Sequence, residues 1–226
     1  MASTDVLDEL DAMIRQRSIL QHPFYQAWEE GTLTRDQLAT YARIYYPHVR
    51  AFPEYLESAI DKTEIPEIRA ELLDNLADER GNPAPHDELW LAFAAGLGVE
   101  RDQVTDSAPH AAAEAMVTTF KGLADKSLAS GLAALYAYES QQPEVSCTKL
   151  AGLRDHYGVE EPSTLEYFEV HEAADVRHRQ GERDALAACL QAGVEPSELR
   201  DATREALDAY WGLLDGVCSE AGIEAA

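Results

Sequence analysis

The sequence predicts an all-α fold, a single bundle of about seven to eight helices. Apolar residues recur at helical spacing in segment after segment, and no stretch alternates with the period of two that a half-buried strand requires. The breaks between segments are short and marked by Gly or Pro. A chain of 226 residues, 46% of them hydrophobic, can bury a full core, and no Ser/Gly/Pro-rich linker divides it, so residues 1–226 read as one domain.

Val6, Leu7, Leu10, Met13 and Ile14 make the first apolar stripe, behind the capping residues Ser3 and Thr4. HPFYQAWEEG gives a short helix that Gly31 ends. Thr34 opens a long pattern reaching Ile60, in which Pro47 and Pro53 should each kink or break the helix. Pro66 suits the first turn of the next segment, which Gly81-Asn82-Pro83 terminates just past Glu79. Further helices read at residues 86–97, 108–124, 132–157, 164–190 and 195–218.

On this helical frame lie three carboxylates and three imidazoles that suit a pair of transition-metal ions: Glu79, His86, Glu139, His171, Asp175 and His178. Positions i, i+4 and i+7 fall at roughly 0°, +40° and −20° around a helix, so His171, Asp175 and His178 share one stripe and can converge. Glu139 sits in LAALYAYE, a run apolar nearly all round, as a buried helix is. A carboxylate there needs a partner, and a metal ion is a sufficient one. Glu79 and His86 flank a helix break, so they can meet only across a turn or a distorted helix. Each Glu taken singly would be an ordinary solvated carboxylate in so acidic a chain; the set of six makes the case. Carboxylates and imidazoles suit iron and manganese, and the lack of paired thiols weighs against structural zinc. The pattern departs from the Glu plus Glu-x-x-His signature of ferritin-like bundles, having His-x3-Asp-x2-His and three histidines.

The six residues resemble the ligand pattern of the haem-oxygenase-like diiron oxidases, a superfamily that shares a seven-helix fold with haem oxygenase, thiaminase II and pyrroloquinoline-quinone synthase. From about residue 5 to residue 220 the chain resembles the group containing the Chlamydia protein associating with death domains. That resemblance implies a single haem-oxygenase-like bundle holding two metal ions, Fe/Fe or Mn/Fe. It implies an oxygenase that uses O₂ and an external reductant to make p-aminobenzoate for folate biosynthesis from one of its own tyrosines. By the same resemblance Tyr25 corresponds to the excised tyrosine and Lys149 to the amino-group donor. Tyr41, Tyr138 and Tyr167 correspond to tyrosines near the metals that carry radical or electron-transfer steps. In one ideal helix Lys149 would lie roughly 280° around and about 15 Å along from Glu139, off its stripe, although Pro143 between them can redirect the second half.

Two other readings stay open. One is a diiron oxygenase acting on an exchangeable small molecule, and the other is a non-catalytic protein-binding module. Haem binding is disfavoured because His22 precedes Pro23 outside any helical stripe, and thiaminase chemistry because Cys147 has no companion motif. Members of the resembled superfamily often dimerise, and the helix around Trp211 offers an apolar face for a homodimer.

Composition bounds the partners. Eighteen basic against 42 acidic residues leave a net charge of −24, which repels nucleic-acid backbones and anionic membranes. No run of about 18 apolar residues is present, and the start, MASTDVLDELDAM, is acidic where a signal peptide would be basic, so a cytoplasmic protein is expected. Cys147, Cys189 and Cys218 form no C-x-x-C pair and read as reduced thiols. Of the 18 basic residues only Lys62, Lys121, Lys126 and Lys149 are lysines. High acid with little lysine is the surface that a high-salt cytoplasm selects, because carboxylates keep a protein soluble when screening is strong. A halophilic source predicts that the melting temperature rises with KCl concentration; maximal stability in dilute buffer would remove that reading.

Overall fold

The computed structural model describes residues 3–81 and 83–224. Eleven α-helical segments occur among them: α1 (Ser3–Gln16), α2 (Pro23–Glu29), α3 (Arg35–Ile60), α4 (Pro66–Gly81), α5 (His86–Gly96), α6 (Arg101–Thr105), α7 (Ala111–Lys126), α8 (Leu128–Glu139), α9 (Gln142–Asp155), α10 (Pro162–Gln191) and α11 (Pro196–Ala221). A single 3₁₀ turn, Ile19–Gln21, joins α1 to α2. The described residues contain no strand. The single-turn α6 lies outside the sequence expectation because five residues are too few to display a period.

The long α3 is capped as its sequence suggests: Thr34 Oγ1 accepts from the Gln37 backbone, and the Gln37 side chain accepts from the Thr34 N–H. It then runs unbroken to Ile60, with Pro47 and Pro53 inside it. An interior proline costs about 3 kcal/mol, whereas burying one large apolar side chain contributes roughly 1.5–3 kcal/mol. Tyr41, Tyr45, Phe52, Tyr55 and Leu56 all bury from this helix, so packing outweighs both prolines.

At the centre lies α8, enclosed by α3, α7, α10 and α11. Every residue from Ala129 to Glu139 is buried, which is why this segment is apolar all round. The expected continuous helix over 132–157 is in fact two, α8 and α9, separated at Ser140–Gln141. Pro143 has no N–H to offer the Glu139 carbonyl, and glutamine side chains bond the two carbonyls before it. Gln141 Nε2 donates to the Ala137 carbonyl at 2.8 Å and Gln142 Nε2 to that of Tyr138 at 3.4 Å. Gln141 Oε1 meanwhile accepts from the Ile19 N–H at 3.0 Å, tying the junction to the 3₁₀ turn.

That junction sends α9 across α2. A Cβ at Gly152 would lie 2.6 Å from Trp28 Nε1, and the same indole nitrogen donates to the Lys149 carbonyl at 3.4 Å. The absence of a side chain at residue 152 thus lets α9 approach closely enough to bring Lys149 into the core. The 30-residue α10 packs on α9, α5, α8 and α4, carrying its polar stripe into the bundle. Trp211 on α11 packs within the chain, under the Arg17 guanidinium at 4.0 Å and against His22. No described helix is long and apolar enough to cross a membrane.

Gly152→Ala should cost about 1–3 kcal/mol of stability through overpacking against Trp28, measured by urea unfolding; a neutral result would mean that the α2–α9 contact yields easily.

Candidate metal centre

The six residues singled out by sequence come together as two triplets. Glu79, His86 and His171 form one, and Glu139, Asp175 and His178 the other; within each, one donor atom per residue lies within 4.8 Å of the others. All six are buried. Glu79 ends its reach at the C-terminal turn of α4, and His86 is the first residue of α5, so the pair meets across the helix break: His86 Nδ1 lies 2.9 Å from Glu79 Oε1. The stripe on α10 does not serve one point. His171 faces the first triplet while Asp175 and His178, one and two turns on, face the second. One small cavity joins the triplets, lined by Glu79, Glu139, His171 and Asp175 together with Val49, Phe52, Tyr138 and Tyr167.

Hydrogen bonds aim the imidazoles. His171 Nδ1 donates to the Tyr167 carbonyl at 2.6 Å, which leaves Nε2 directed toward Glu79. His178 Nε2 meets Asp78 Oδ2 at 3.1 Å, leaving Nδ1 toward Asp175 at 3.5 Å. Asp78 is itself paired with Arg177. Such outer carboxylates and carbonyls fix the tautomer and orientation of a metal-binding histidine. Asp74, Asp78 and His178 also cluster, but the Arg177 guanidinium already pairs with both aspartates. Asn75 Nδ2 donates to both oxygens of Glu139, at 2.9 and 3.0 Å.

The charge state follows from burial. Burial holds His171 well below its ordinary value, and the neighbouring His86 adds to this. Burial raises Asp175 to about 7, assisted by the Glu139 and Glu79 carboxylates and opposed by His178. For His178 burial opposes the charge, yet Asp175, Glu139 and Asp78 outweigh it and push the imidazole up to about 9. The titrations of Asp175 and His178 are thus coupled, and Asp175 Oδ2 and His178 Nδ1 have no hydrogen-bond partner. Buried anionic oxygens and a directed, unpartnered imidazole nitrogen are a donor set that a divalent cation fits.

Beside this centre lies a buried phenolic cluster. Lys149 Nζ donates to Tyr41 Oη at 2.6 Å and lies 5.5 Å from the centroid of the Tyr25 ring and 5.0 Å from that of Phe168. Tyr25 is fully buried, with its hydroxyl beside those of Tyr41 and Tyr210. Tyr45 Oη shares hydrogen bonds of 2.8 Å with both Tyr138 and Tyr210. Rings connect cluster and centre: Tyr167 lies 4.2 Å from His171 and 4.8 Å from Trp90, which stacks on Tyr45 at 4.8 Å. Sequence reasoning missed Trp90, Tyr45 and Tyr210; their helical spacing marks only core, and pairing of their polar tips across α3, α5 and α11 has no local signature. His22 accepts from the Phe24 N–H through Nδ1 and meets Asp215 through Nε2, so both nitrogens serve the helix junction, and Cys147 is exposed.

The family model described as iron-containing redox enzyme matches residues 39–211. The chain belongs to this family. Among curated relatives, the 4-aminobenzoate synthase of Chlamydia muridarum is 42% identical over 214 residues, covering 94% of this chain and 90% of that one. The 4-aminobenzoate synthase of Nitrosomonas europaea is 37% identical, over 96% of this chain and 92% of its own. A solved domain of unknown function with a haem-oxygenase-like fold, from Shewanella denitrificans, superposes with a TM-score of 0.77 at 17% identity, covering 97% of this chain and 93% of that one. This iron-containing redox enzyme is thus an all-α haem-oxygenase-like bundle.

Burial depresses Lys149 well below its ordinary 10.5. The unfolded chain therefore binds a proton there that the folded enzyme does not, and stability rises with pH between the depressed value and 10.5. Lys149→Met should flatten that slope, compared by urea unfolding across pH 7–9; an unchanged slope would mean that the amine is charged in the fold.

Proposed function

We propose that this enzyme is a dimetal, O₂-dependent 4-aminobenzoate synthase that consumes its own Tyr25. Glu79, His86 and His171 would hold one ion and Glu139, Asp175 and His178 the other, as Fe/Fe or Mn/Fe. When bound, the metal pair would supply the reduction of O₂, with electrons from an external reductant, and the oxidising power needed to attack a neighbouring aromatic ring.

One observation carries the choice of substrate. The cavity joining the triplets has a volume of only about 10 Å³, room for a single water-sized molecule. An exchangeable amino acid or fatty acid does not fit there, whereas a phenol is already buried in the adjoining cluster. Tyr25 supplies the ring, and Lys149 is suited to supply nitrogen, because desolvation favours its neutral, nucleophilic amine. The hydrogen bond to Tyr41 Oη holds that amine in place between the rings. Burial keeps Tyr25, Tyr41, Tyr45, Tyr138 and Tyr167 protonated, so loss of an electron from any of them must be coupled to movement of its phenolic proton. The short hydroxyl contacts from Tyr138 through Tyr45 to Tyr210 offer acceptors for such protons, and the Tyr167–Trp90–Tyr45 rings offer a route for electrons. The 4-aminobenzoate synthase relatives, which match nearly the whole chain, support the same product.

Anaerobic loading with Fe(II), alone or with Mn(II), followed by O₂ and reductant should release 4-aminobenzoate for a single turnover per chain. Peptide mass spectrometry should locate the loss at Tyr25, and Tyr25→Phe should yield no product. Product formation by that variant at the parent level would overturn the assignment of the substrate, and sustained turnover on an added small molecule would favour an exchangeable substrate.

A further inference from the structure

The polar stripe of α10 does not end at His178. Glu182 follows at i+11 from His171, roughly 20° around the helix and so in the middle of the arc spanned by His171, Asp175 and His178. It is 1% exposed, and neither carboxylate oxygen has a hydrogen-bond partner. Its carboxyl lies against that of Glu139, with Asp175 also close enough to act on it electrostatically.

The facing part of α4 supplies no relief. Glu71 Oε1 and Asn75 Oδ1 are also buried acceptors without a donor. The amide nitrogen of Asn75 is committed to Glu139. A Cβ at residue 181 would fall 2.0 Å from Glu71 Cδ, so Gly181 is what allows the Glu71 carboxylate to lie across α10 beside Glu182. The guanidinium one turn away, on Arg177, is turned to Asp74 and Asp78. Glu71, Asn75 and Glu182 thus each carry a buried acceptor oxygen with no donor. Burying an unpaired carboxylate costs several kcal/mol, and a shared cation removes that cost.

We infer that Glu182 is a seventh ligand of the metal centre, joining Glu139, Asp175 and His178 around the second ion. The inference rests on the dimetal reading above. The second triplet has one imidazole where the first has two, and a further carboxylate extends its oxygen-rich set. Asn75 bonds both oxygens of Glu139; Glu182 itself lies outside the group of donor atoms within 4.8 Å of one another, so its side chain has to turn toward Glu139 to engage the ion.

Anaerobic Fe(II) titration with metal analysis, on the parent, His178→Ala, Glu182→Gln and Glu182→Asp, tests this. The parent should bind two ions. Glu182→Gln should bind the first ion as the parent does and the second at least about tenfold more weakly, with Glu182→Asp between the two. The metal-free melting temperature of Glu182→Gln should be no lower than the parent's, and its rise on Fe(II) binding smaller. Parent-like binding of both ions by Glu182→Gln would overturn the inference. So would a lowered metal-free melting temperature with an unchanged metal-induced rise, since that is the behaviour of a purely structural residue. If the parent binds no second ion, or His178→Ala keeps both, the dimetal reading itself falls.

Discussion

The burial of clustered carboxylates is the constraint around which this bundle is built. Glu79, Glu139, Asp175 and Glu182 all lie inside, from three different helices, while the guanidinium groups near them, of Arg177 and Arg80, sit toward solvent. Nothing in the hydrophobic effect favours such an arrangement, and in a low-dielectric interior each like-charge contact is costly. The fold tolerates it because α3, α8 and α11 supply a large apolar and aromatic core on the other side. In the metal-free protein the strain is relieved by protons, as the raised Asp175 and Glu182 indicate. Carboxylate clusters of this kind are bistable in charge: protons or a divalent cation neutralise them, and binding one releases the other.

The same desolvation sets the state of Lys149. Its Nζ has phenol and aromatic faces around it, from Tyr25, Tyr41, Tyr45, Trp90 and Phe168, and its hydrogen bond is to Tyr41. Ring faces attract an ammonium ion, but five of them do not replace bulk hydration, and burial depresses the amine. One physical cause thus acts in opposite directions on neighbouring groups, keeping acids protonated and the base unprotonated. Two chemically distinct neighbourhoods result, an oxygen-rich pocket and a neutral phenol–amine cluster, and the rings of Tyr167 and Trp90 lie between them.

How legible this was in the sequence depended on whether the information was local. The α10 stripe was legible because helical geometry alone places His171, Asp175 and His178 on one face. The burial of Glu139 was legible because α8 is apolar all round. The family resemblance then supplied Tyr25 and Lys149, which no periodicity marks. Glu182 was overlooked although the same stripe arithmetic reaches it, because an acidic residue in ERDAL looks like any solvated carboxylate of so acidic a chain. Asp78 and Asn75 were illegible for a different reason: their roles depend on partners 100 and 64 residues away. The prolines of α3 do not break the helix, because the backbone cost that is visible in the sequence is offset by tertiary packing that is not.

The position of Lys149 shows how a local defect can deliver a long-range result. In an uninterrupted helix this residue would point well away from the stripe of Glu139. The break at Ser140–Gln141 resets the direction of the chain, and α9 begins anew with Pro143 in its first turn. Three features then hold the new direction: the Gln141 amide pinned to Ile19 and Ala137, the close approach at Gly152, and Trp28 bonded to the Lys149 carbonyl. Trp28 and Tyr25 belong to the same short helix, so the element that carries the phenol also holds the backbone of the amine. The separation of Tyr25 and Lys149 is therefore fixed by one helix pair, α2 and α9, and not by the more distant scaffold that sets the two carboxylate–imidazole triplets.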